Sequence, residues 1–127
     1  MEEKSIFDAF KEDDFGLFKN VIESKPEIIY ERGPNQRTPL IYASRHCLDV
    51  KYVDFLLGCE GIEVNAQDSG SRNALFCSVW KDKNQDRTEI FKALIKHPET
   101  DVNLGSKHRG YTPLMIACTN GYVEKLN

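Results

Sequence analysis

The chain has 127 residues, a formal net charge of −3, and 40% hydrophobic against 29% charged side chains. This length suits one small soluble domain or a fragment of something longer. The acidic balance of the chain, with no stripe of Lys and Arg between aromatics, argues against a nucleic-acid-binding protein. No apolar run approaches the roughly 20 residues of a membrane span, and MEEKSIFDAF lacks the apolar run of a signal peptide, so we expect a cytoplasmic protein, with a nuclear location left open.

The first 34 residues contain two helical patterns in succession. Ile6, Phe7 and Phe10 have the spacing of one buried helical stripe. Asp14 is placed to cap a second helix. The stripe of this second helix consists of Phe15, Phe18, Val21 and Ile22. The segment SKPEIIYERGPN then contains two prolines and a glycine, which predict the end of the helix and a turn.

A six-residue stretch that follows is repeated later in the chain. TPLIYA at 38–43 returns as TPLMIA at 112–117, and NAL at 73–75 is a weaker copy between them. The weaker copy starts 35 residues after the first copy and 39 residues before the last. Each copy predicts a helix start, because the threonine hydroxyl can cap the helix and proline fits the first helical position. In the weaker copy Asn73 is the expected cap and Ala74 takes the first position. The regular spacing indicates a chain built from repeated units.

Each unit continues with a second amphipathic helix and an extended loop. The apolar stripes of these second helices are Val50, Val53, Leu56 and Leu57 in one unit, and Ile90, Phe91, Leu94 and Ile95 in the next. The loops contain a second marker in the same register, EVNAQD at 63–68 and DVNLGS at 101–106, 38 residues apart. One unit is therefore predicted to be helix, turn, helix and loop.

These motifs resemble the ankyrin repeat family, whose unit of about 33 residues starts its first helix with Thr-Pro-Leu-His-x-Ala. TPLIYAS, NALFCSV and TPLMIAC match the helix start, and TNGYVEKL at 119–126 is similar to the family's helix-to-helix turn. The resemblance implies an all-α solenoid of stacked antiparallel helix pairs joined by β-hairpin-like loops. It divides a single domain, 1–127, into a degenerate capping repeat 1–34, repeats 35–68 and 69–105, and a truncated repeat 106–127.

The chain departs from the family pattern in three ways. Ile41, Phe76 and Met115 replace the histidine of the helix start, so apolar packing is expected to substitute for its hydrogen bonds. The second unit has about four extra residues in the charged segment WKDKNQDRTE, which is expected to be solvated, and the role of the loop 81–87 is left open. The last unit stops half way, which predicts that this chain is the N-terminal piece of a longer array. The alternative is that a partner protein, or a second copy of the chain, covers the exposed end of the last unit.

The sequence gives no sign of chemistry. Cys47, Cys59, Cys77 and Cys118 lack the paired spacing of a zinc site and are interpreted as reduced, buried or half-buried thiols. There is no Gly-rich phosphate loop and no nucleophile elbow. We therefore predict no catalytic activity, no cofactor and no metal site.

The resemblance instead implies a protein partner bound at the loop tips and at the concave face of the first helices. The tips, 31–37, 67–72 and 105–110, contain five basic residues against two acids, a charge of +3 that leaves −6 on the rest. This charge favours an acidic or phosphorylated protein segment as the ligand. The candidate contact residues are Arg32, Arg37, Tyr42, Arg45, Arg72, Trp80, Lys107, His108 and Arg109.

The expected function is therefore a protein-interaction module, a scaffold or adaptor. The alternative is a regulatory segment of a larger enzyme, channel or secreted effector, whose catalytic part would lie beyond Asn127.

Overall fold

The computed structural model describes residues 5–46, 49–79 and 87–104, together with Thr112 and Met115. Within these residues the structure is helical and contains no strand. The α-helices are α1 (Ile6–Glu12), α2 (Phe15–Ser24), α3 (Pro39–His46), α4 (Val50–Leu57), α5 (Ala74–Val79) and α6 (Thr88–Lys96). Two short 3₁₀ turns, Pro26–Tyr30 and Pro34–Gln36, connect α2 to α3.

The repeated helix starts are capped as the sequence predicts. The backbone N–H of Ile41 donates to the Thr38 hydroxyl at 3.3 Å. The backbone N–H of Phe76 donates to Asn73 Oδ1 at 2.8 Å, so asparagine replaces threonine with the same geometry. In the last copy the N–H of Met115 donates to the Thr112 hydroxyl at 3.2 Å. Each cap satisfies one of the backbone donors that a helix N-terminus leaves without a partner.

Replacing Thr38 by valine is expected to lower the free energy of unfolding by about 1 kcal/mol, because the isosteric side chain keeps the packing and removes the cap. Urea unfolding followed by far-UV circular dichroism measures this loss. Ser24→Ala, an exposed change at the end of α2, serves as the control and should stay within about 0.5 kcal/mol of wild type. A Thr38 variant as stable as the control would contradict the capping role.

The helices form two layers. The first helices of the pairs, α1, α3 and α5, stack on one side, with α3 against both α1 and α5. The second helices lie behind them, and α4 packs on α6. Each first helix also packs on its own second helix. This arrangement is the predicted solenoid of stacked helix pairs, in which each pair contacts mainly its neighbours.

Aromatic side chains fill the core between the first two pairs. Phe18 is fully buried and lies 5.1 Å from Phe10 and 5.0 Å from Tyr52, measured between ring centroids. The Tyr52 hydroxyl leaves this core and donates to Asp13 Oδ1 at 2.7 Å. The aromatic core therefore ties α1 and α2 to α4. Phe10 and Phe18 belong to the predicted stripes of the first unit, whereas Tyr52 is not part of the stripe predicted for α4.

The substitutions at the family's histidine position differ among the three copies. Ile41 and Phe76 are almost completely buried, at 1% and 0% exposure, so apolar packing replaces the missing hydrogen bonds there. Met115 is 50% exposed, so its side chain does not replace those hydrogen bonds by apolar packing.

In the described part of the chain, none of the helices is both long and apolar enough to cross a membrane.

Candidate functional site

The loops before α3 and α5 are short hairpin-like turns closed by backbone hydrogen bonds. In the first, Gly33 N–H donates to the Arg37 carbonyl at 2.9 Å. In the second, Asp68 N–H donates to the Arg72 carbonyl at 2.9 Å. Asp68 Oδ1 also accepts from the backbone N–H groups of Gly70 at 2.8 Å and Arg72 at 3.0 Å. One buried carboxylate thus shapes the second turn from within.

The two loops are joined side by side. Ser69 N–H donates to the Asn35 carbonyl at 2.9 Å. Arg32 Nη1 donates to the carbonyls of Gln36 at 2.6 Å and Gln67 at 2.7 Å, one in each loop. Arg32 is therefore exposed at the tips, as predicted, but its guanidinium is also a bridge within the fold.

The second sequence marker has a structural role at the next junction. Asn65, from the motif EVNAQD, donates from Nδ2 to the Glu99 carbonyl at 2.7 Å. Its Oδ1 accepts from the Asp101 N–H, also at 2.7 Å. Both ends of one amide thus connect consecutive units, which explains why an asparagine marks this position in the sequence.

Arg37 occupies the interior, below the tips. The residue is 8% exposed, and its Nε lies 3.3 Å from Asp68 Oδ2, whose side chain is 1% exposed. Its Nη1 donates to His46 Nε2 at 3.4 Å. The sequence could show that Arg37 is basic and close to a turn, but not that it is paired across 31 residues. Arg37 therefore lies in a buried ion pair within the fold, away from the exposed surface.

The exposed side of α3 carries the remaining described candidates. We refer to Tyr42, Arg45 and His46, together with Arg72 from the next loop, as the α3 face. Tyr42 and Arg45 are half-exposed. The Tyr42 ring packs on Phe10 at 5.3 Å and on His46 at 4.6 Å between centroids, so its orientation is fixed. Arg45 makes no hydrogen bond or ion pair with any side chain of the described residues.

The charges of three arginines, Arg37, Arg72 and Arg87, act on Arg45, and we call these four residues the arginine cluster. Burial lowers the pKa of Arg45, and the charges of the other three members lower it further, against the opposing effect of Cys77. The pKa of His46 is lowered by its partial burial and then by Arg37, Arg45 and Arg87. The local field is therefore positive, although the whole chain is acidic.

The sequence reasoning missed Arg87. The charged insertion was expected to be solvated, and this is wrong for Arg87, which is 4% exposed at the start of α6. Thr88 beside it is 7% exposed. A pattern of charged residues carries no signal for which of them is buried, and so nothing in the local sequence could have identified this residue.

Cys77 lies in the interior beside the arginine cluster. Burial, assisted by the charge of Asp68, raises the pKa of the Cys77 thiol to about 11, although Arg45, Arg37 and Arg72 oppose the rise. Cys59 is a half-buried free thiol, and burial also raises its pKa. These two placements agree with the predicted buried or half-buried thiols, while Cys47 and Cys118 lie outside the described residues.

Cys77 should make the stability depend on pH in the alkaline range. In the folded chain the Cys77 thiol has a pKa of about 11, whereas in the unfolded chain it loses its proton near pH 9.0. The stability that comes from keeping this thiol protonated is therefore full below pH 9 and is lost as the pH rises toward 11. The loss attributable to this thiol is about 2–3 kcal/mol. Urea unfolding of wild type and Cys77→Ala across this range measures it. Parallel stability profiles for the two proteins would contradict the assignment.

An open cleft of about 690 Å³ lies apart from this face, between α2 and the first 3₁₀ turn. Its lining residues include Leu17, Asn20, Val21, Ser24, Lys25 and Ile28. The lining contains few charges, and no group of three or more potential metal ligands occurs among the described residues. The cleft therefore presents no arrangement of reactive groups.

Four of the predicted contact residues, Trp80, Lys107, His108 and Arg109, lie outside the described residues. The same is true of the loop 81–86 and of most of the last unit, 106–127. The predicted roles of these residues, and self-association through the last unit, stay predictions.

Two family models match the chain. Residues 53–127 match a model described as ankyrin repeats in three copies, and residues 35–69 match the single ankyrin repeat. The two matches together reach from the first TPL motif to the end of the sequence. No curated protein matches the sequence.

A solved structure is similar over 99% of this chain, with a TM-score of 0.76 and 21% sequence identity. It is the complex of the predatory endopeptidase Bd0816 from Bdellovibrio bacteriovorus with the immunity protein Bd3460. This chain spans 63% of the length of the matched chain. At this identity the similarity shows a common fold, and it agrees with the helical solenoid described above.

Proposed function

Because this chain belongs to the ankyrin repeat family, we propose that it is a protein-interaction module, a scaffold or adaptor, that binds its partner through the α3 face and the adjoining loops. The family relationship supports binding in general. The similar solved structure, a complex of an endopeptidase with an immunity protein, gives an example of protein association in a molecule with a related fold.

One observation carries the proposal: a half-exposed tyrosine and a half-exposed arginine stand next to each other on a rigid support. Tyr42 is held by Phe10 and His46, so little conformational freedom is lost when a partner packs on it. Arg45 bonds to none of the described side chains, so the exposed part of its guanidinium can donate to a partner. Tyr and Arg are also the residue types that most often dominate binding energy.

The charge of the face favours an acidic ligand. Arg45 and Arg72 are half-exposed, and the charges of the buried Arg37 and Arg87 also act on Arg45. A protein segment rich in Asp and Glu would be attracted to this side of an otherwise acidic molecule.

We further propose that the protein acts in the cytoplasm. Cys59 and Cys77 are free thiols, and the reducing conditions of the cytoplasm keep cysteines in this state.

Selection from a displayed library of random peptides tests the proposal. We expect the enriched peptides to be acidic and to bind with micromolar affinity. Tyr42→Ala and Arg45→Glu should each weaken binding by about tenfold or more, as expected for truncated contacts at the centre of an interface.

Lys96→Glu provides the matched control, because Lys96 is exposed at the end of α6, in the other helix layer. This variant has the same charge reversal as Arg45→Glu and should bind within about twofold of wild type. Enriched peptides that bind equally well to all variants would overturn the α3 face as the binding surface. Failure to enrich any peptide would overturn the proposed peptide-binding role.

A further inference from the structure

The α3 face contains a histidine that the fold holds in its neutral form. Nη1 of Arg37 lies 3.4 Å from His46 Nε2. A guanidinium can only donate, so this ring nitrogen accepts, and the single proton of the neutral ring resides on Nδ1. A proton added to Nε2 would set two donors and two positive charges against each other. The contact therefore exists only while His46 is uncharged.

The surroundings of the ring also oppose a positive charge. Burial lowers the pKa of His46, and the charges of Arg37, Arg45 and Arg87 lower it further. Among the described residues, α1, α4, α5 and the first 3₁₀ turn, which also pack on α3, add no charge to these three. The Asp68 carboxylate is already paired with Arg37. The C-terminal end of α3 acts in the opposite direction, because the negative end of a helix dipole favours a positive ring.

His46 lies where the partner is expected to bind. The residue is exposed at the end of α3, and its ring packs on the ring of Tyr42 at 4.6 Å between centroids. Arg45 precedes it in the same helical turn. The Nδ1–H of His46 donates to none of the described residues. A carboxylate of an acidic segment that contacts Tyr42 and Arg45 would therefore come close to this ring.

We propose that an acidic partner segment binds the α3 face together with a proton at His46, so that binding strengthens as the pH falls below neutral. The inference rests on the proposed function, since it concerns the same face and the same class of partner. The proton comes from solvent and binds Nε2, and a carboxylate of the partner pairs with the positive ring. This carboxylate makes the pKa of His46 higher in the complex than in the free chain. Binding then takes up a proton, and by linkage the affinity rises as the pH falls toward the pKa of the free ring.

An NMR titration of the histidine rings between about pH 5 and 8 tests this in the intact chain. It is carried out without ligand, with an excess of hexaglutamate as the acidic probe, and with sodium chloride at the same ionic strength to account for screening. We expect the pKa of His46 to lie below its ordinary value in the free chain and to rise by about one unit with hexaglutamate. The His97 ring, at the end of α6 in the other helix layer, is the internal control and should not respond to the probe.

The affinity for hexaglutamate, measured from backbone amide shifts, should be about three- to fivefold higher at about pH 6 than at about pH 7.5. Glutamate side chains stay ionised over this range, so the probe itself does not change. His46→Gln removes the titrating ring and keeps an oxygen that can accept from Arg37, so its affinity should be independent of pH. His97→Gln is the matched control and should keep the pH dependence of wild type. Thermal unfolding midpoints at both pH values check that the variants stay folded.

The outcomes separate this inference from the proposed function. A pKa of His46 that is the same with hexaglutamate as with sodium chloride, or an affinity that stays level or falls on acidification, would overturn the proton coupling. An equally strong pH dependence in His46→Gln would overturn the assignment to this ring. In each case the proposed function stands if the selected peptides still depend on Tyr42 and Arg45. Proton-coupled binding of hexaglutamate, with no peptide enriched from the library, would support the role of His46 and overturn the peptide-binding role.

Discussion

Replacing Asp68 by alanine is expected to lower the free energy of unfolding by about 3–5 kcal/mol, the typical loss when one partner of a buried ion pair is removed. The Asp68 side chain is 1% exposed and pairs with Arg37 at 3.3 Å. Its second oxygen holds the turn through the N–H groups of Gly70 and Arg72. The variant would leave a buried guanidinium without its anion and the turn without its internal acceptor.

A double-mutant cycle separates these two effects. Arg37→Met placed on top of Asp68→Ala should recover part of the lost stability, because no buried charge is then left without a partner. Urea unfolding of the four proteins in the cycle gives the coupling energy. Asp54→Ala, at an exposed position on α4, is the control and should change the stability by less than about 0.5 kcal/mol. An Asp68 variant no less stable than this control would show that the ion pair and the turn are not structural.

Replacing Phe18 by alanine should also cost about 3–5 kcal/mol, because it opens a cavity in the aromatic core. Phe18 is fully buried and contacts the rings of Phe10, Tyr52 and Phe55 at centroid distances of 5.1, 5.0 and 5.7 Å. These neighbours belong to α1 and α4, so the ring joins the first helix pair to the second. The substitution should therefore mainly destabilise the packing of α1 and α2 on the rest of the array.

Amide hydrogen exchange locates the effect and urea unfolding measures its size. Exchange should accelerate in α1 and α2 more than in α6, since a repeat array can open from one end. Phe15→Ala is the matched control, because Phe15 has the same side chain but is half-exposed on the same helix, and its loss should be about 1–2 kcal/mol. Equal losses for the two variants, or exchange that accelerates evenly along the chain, would contradict the role of Phe18.

The parts of the fold that depend on local chemistry could be predicted from the sequence. Thr38 and Asn73 cap their helices as expected, since a cap bonds to a backbone group three residues away. The apolar stripes of the second helices also predicted α4 and α6, because helical periodicity places those residues on one buried side. Units that repeat in sequence therefore identify the solenoid reliably.

The candidate site was predicted less well, because it depends on long side chains that meet across units. Arg37 and Arg72 both follow a turn and have the same charge, yet one is buried in an ion pair and the other is half-exposed. Arg87 is 4% exposed, although its segment is one of the most highly charged in the chain. Net charge counts cannot distinguish a buried arginine from a half-exposed one, since burial is decided by tertiary packing.

The amide of Asn65, which bonds to the backbone at Glu99 and Asp101, has a consequence for how such a chain can evolve. The junction needs one side chain from the earlier unit and only backbone groups from the later one, and Asn103 stands at the equivalent position of the next motif. Gene duplication of a whole unit would supply a new asparagine together with the backbone that receives it. A duplicated unit would therefore form its junction with the same two hydrogen bonds that Asn65 makes.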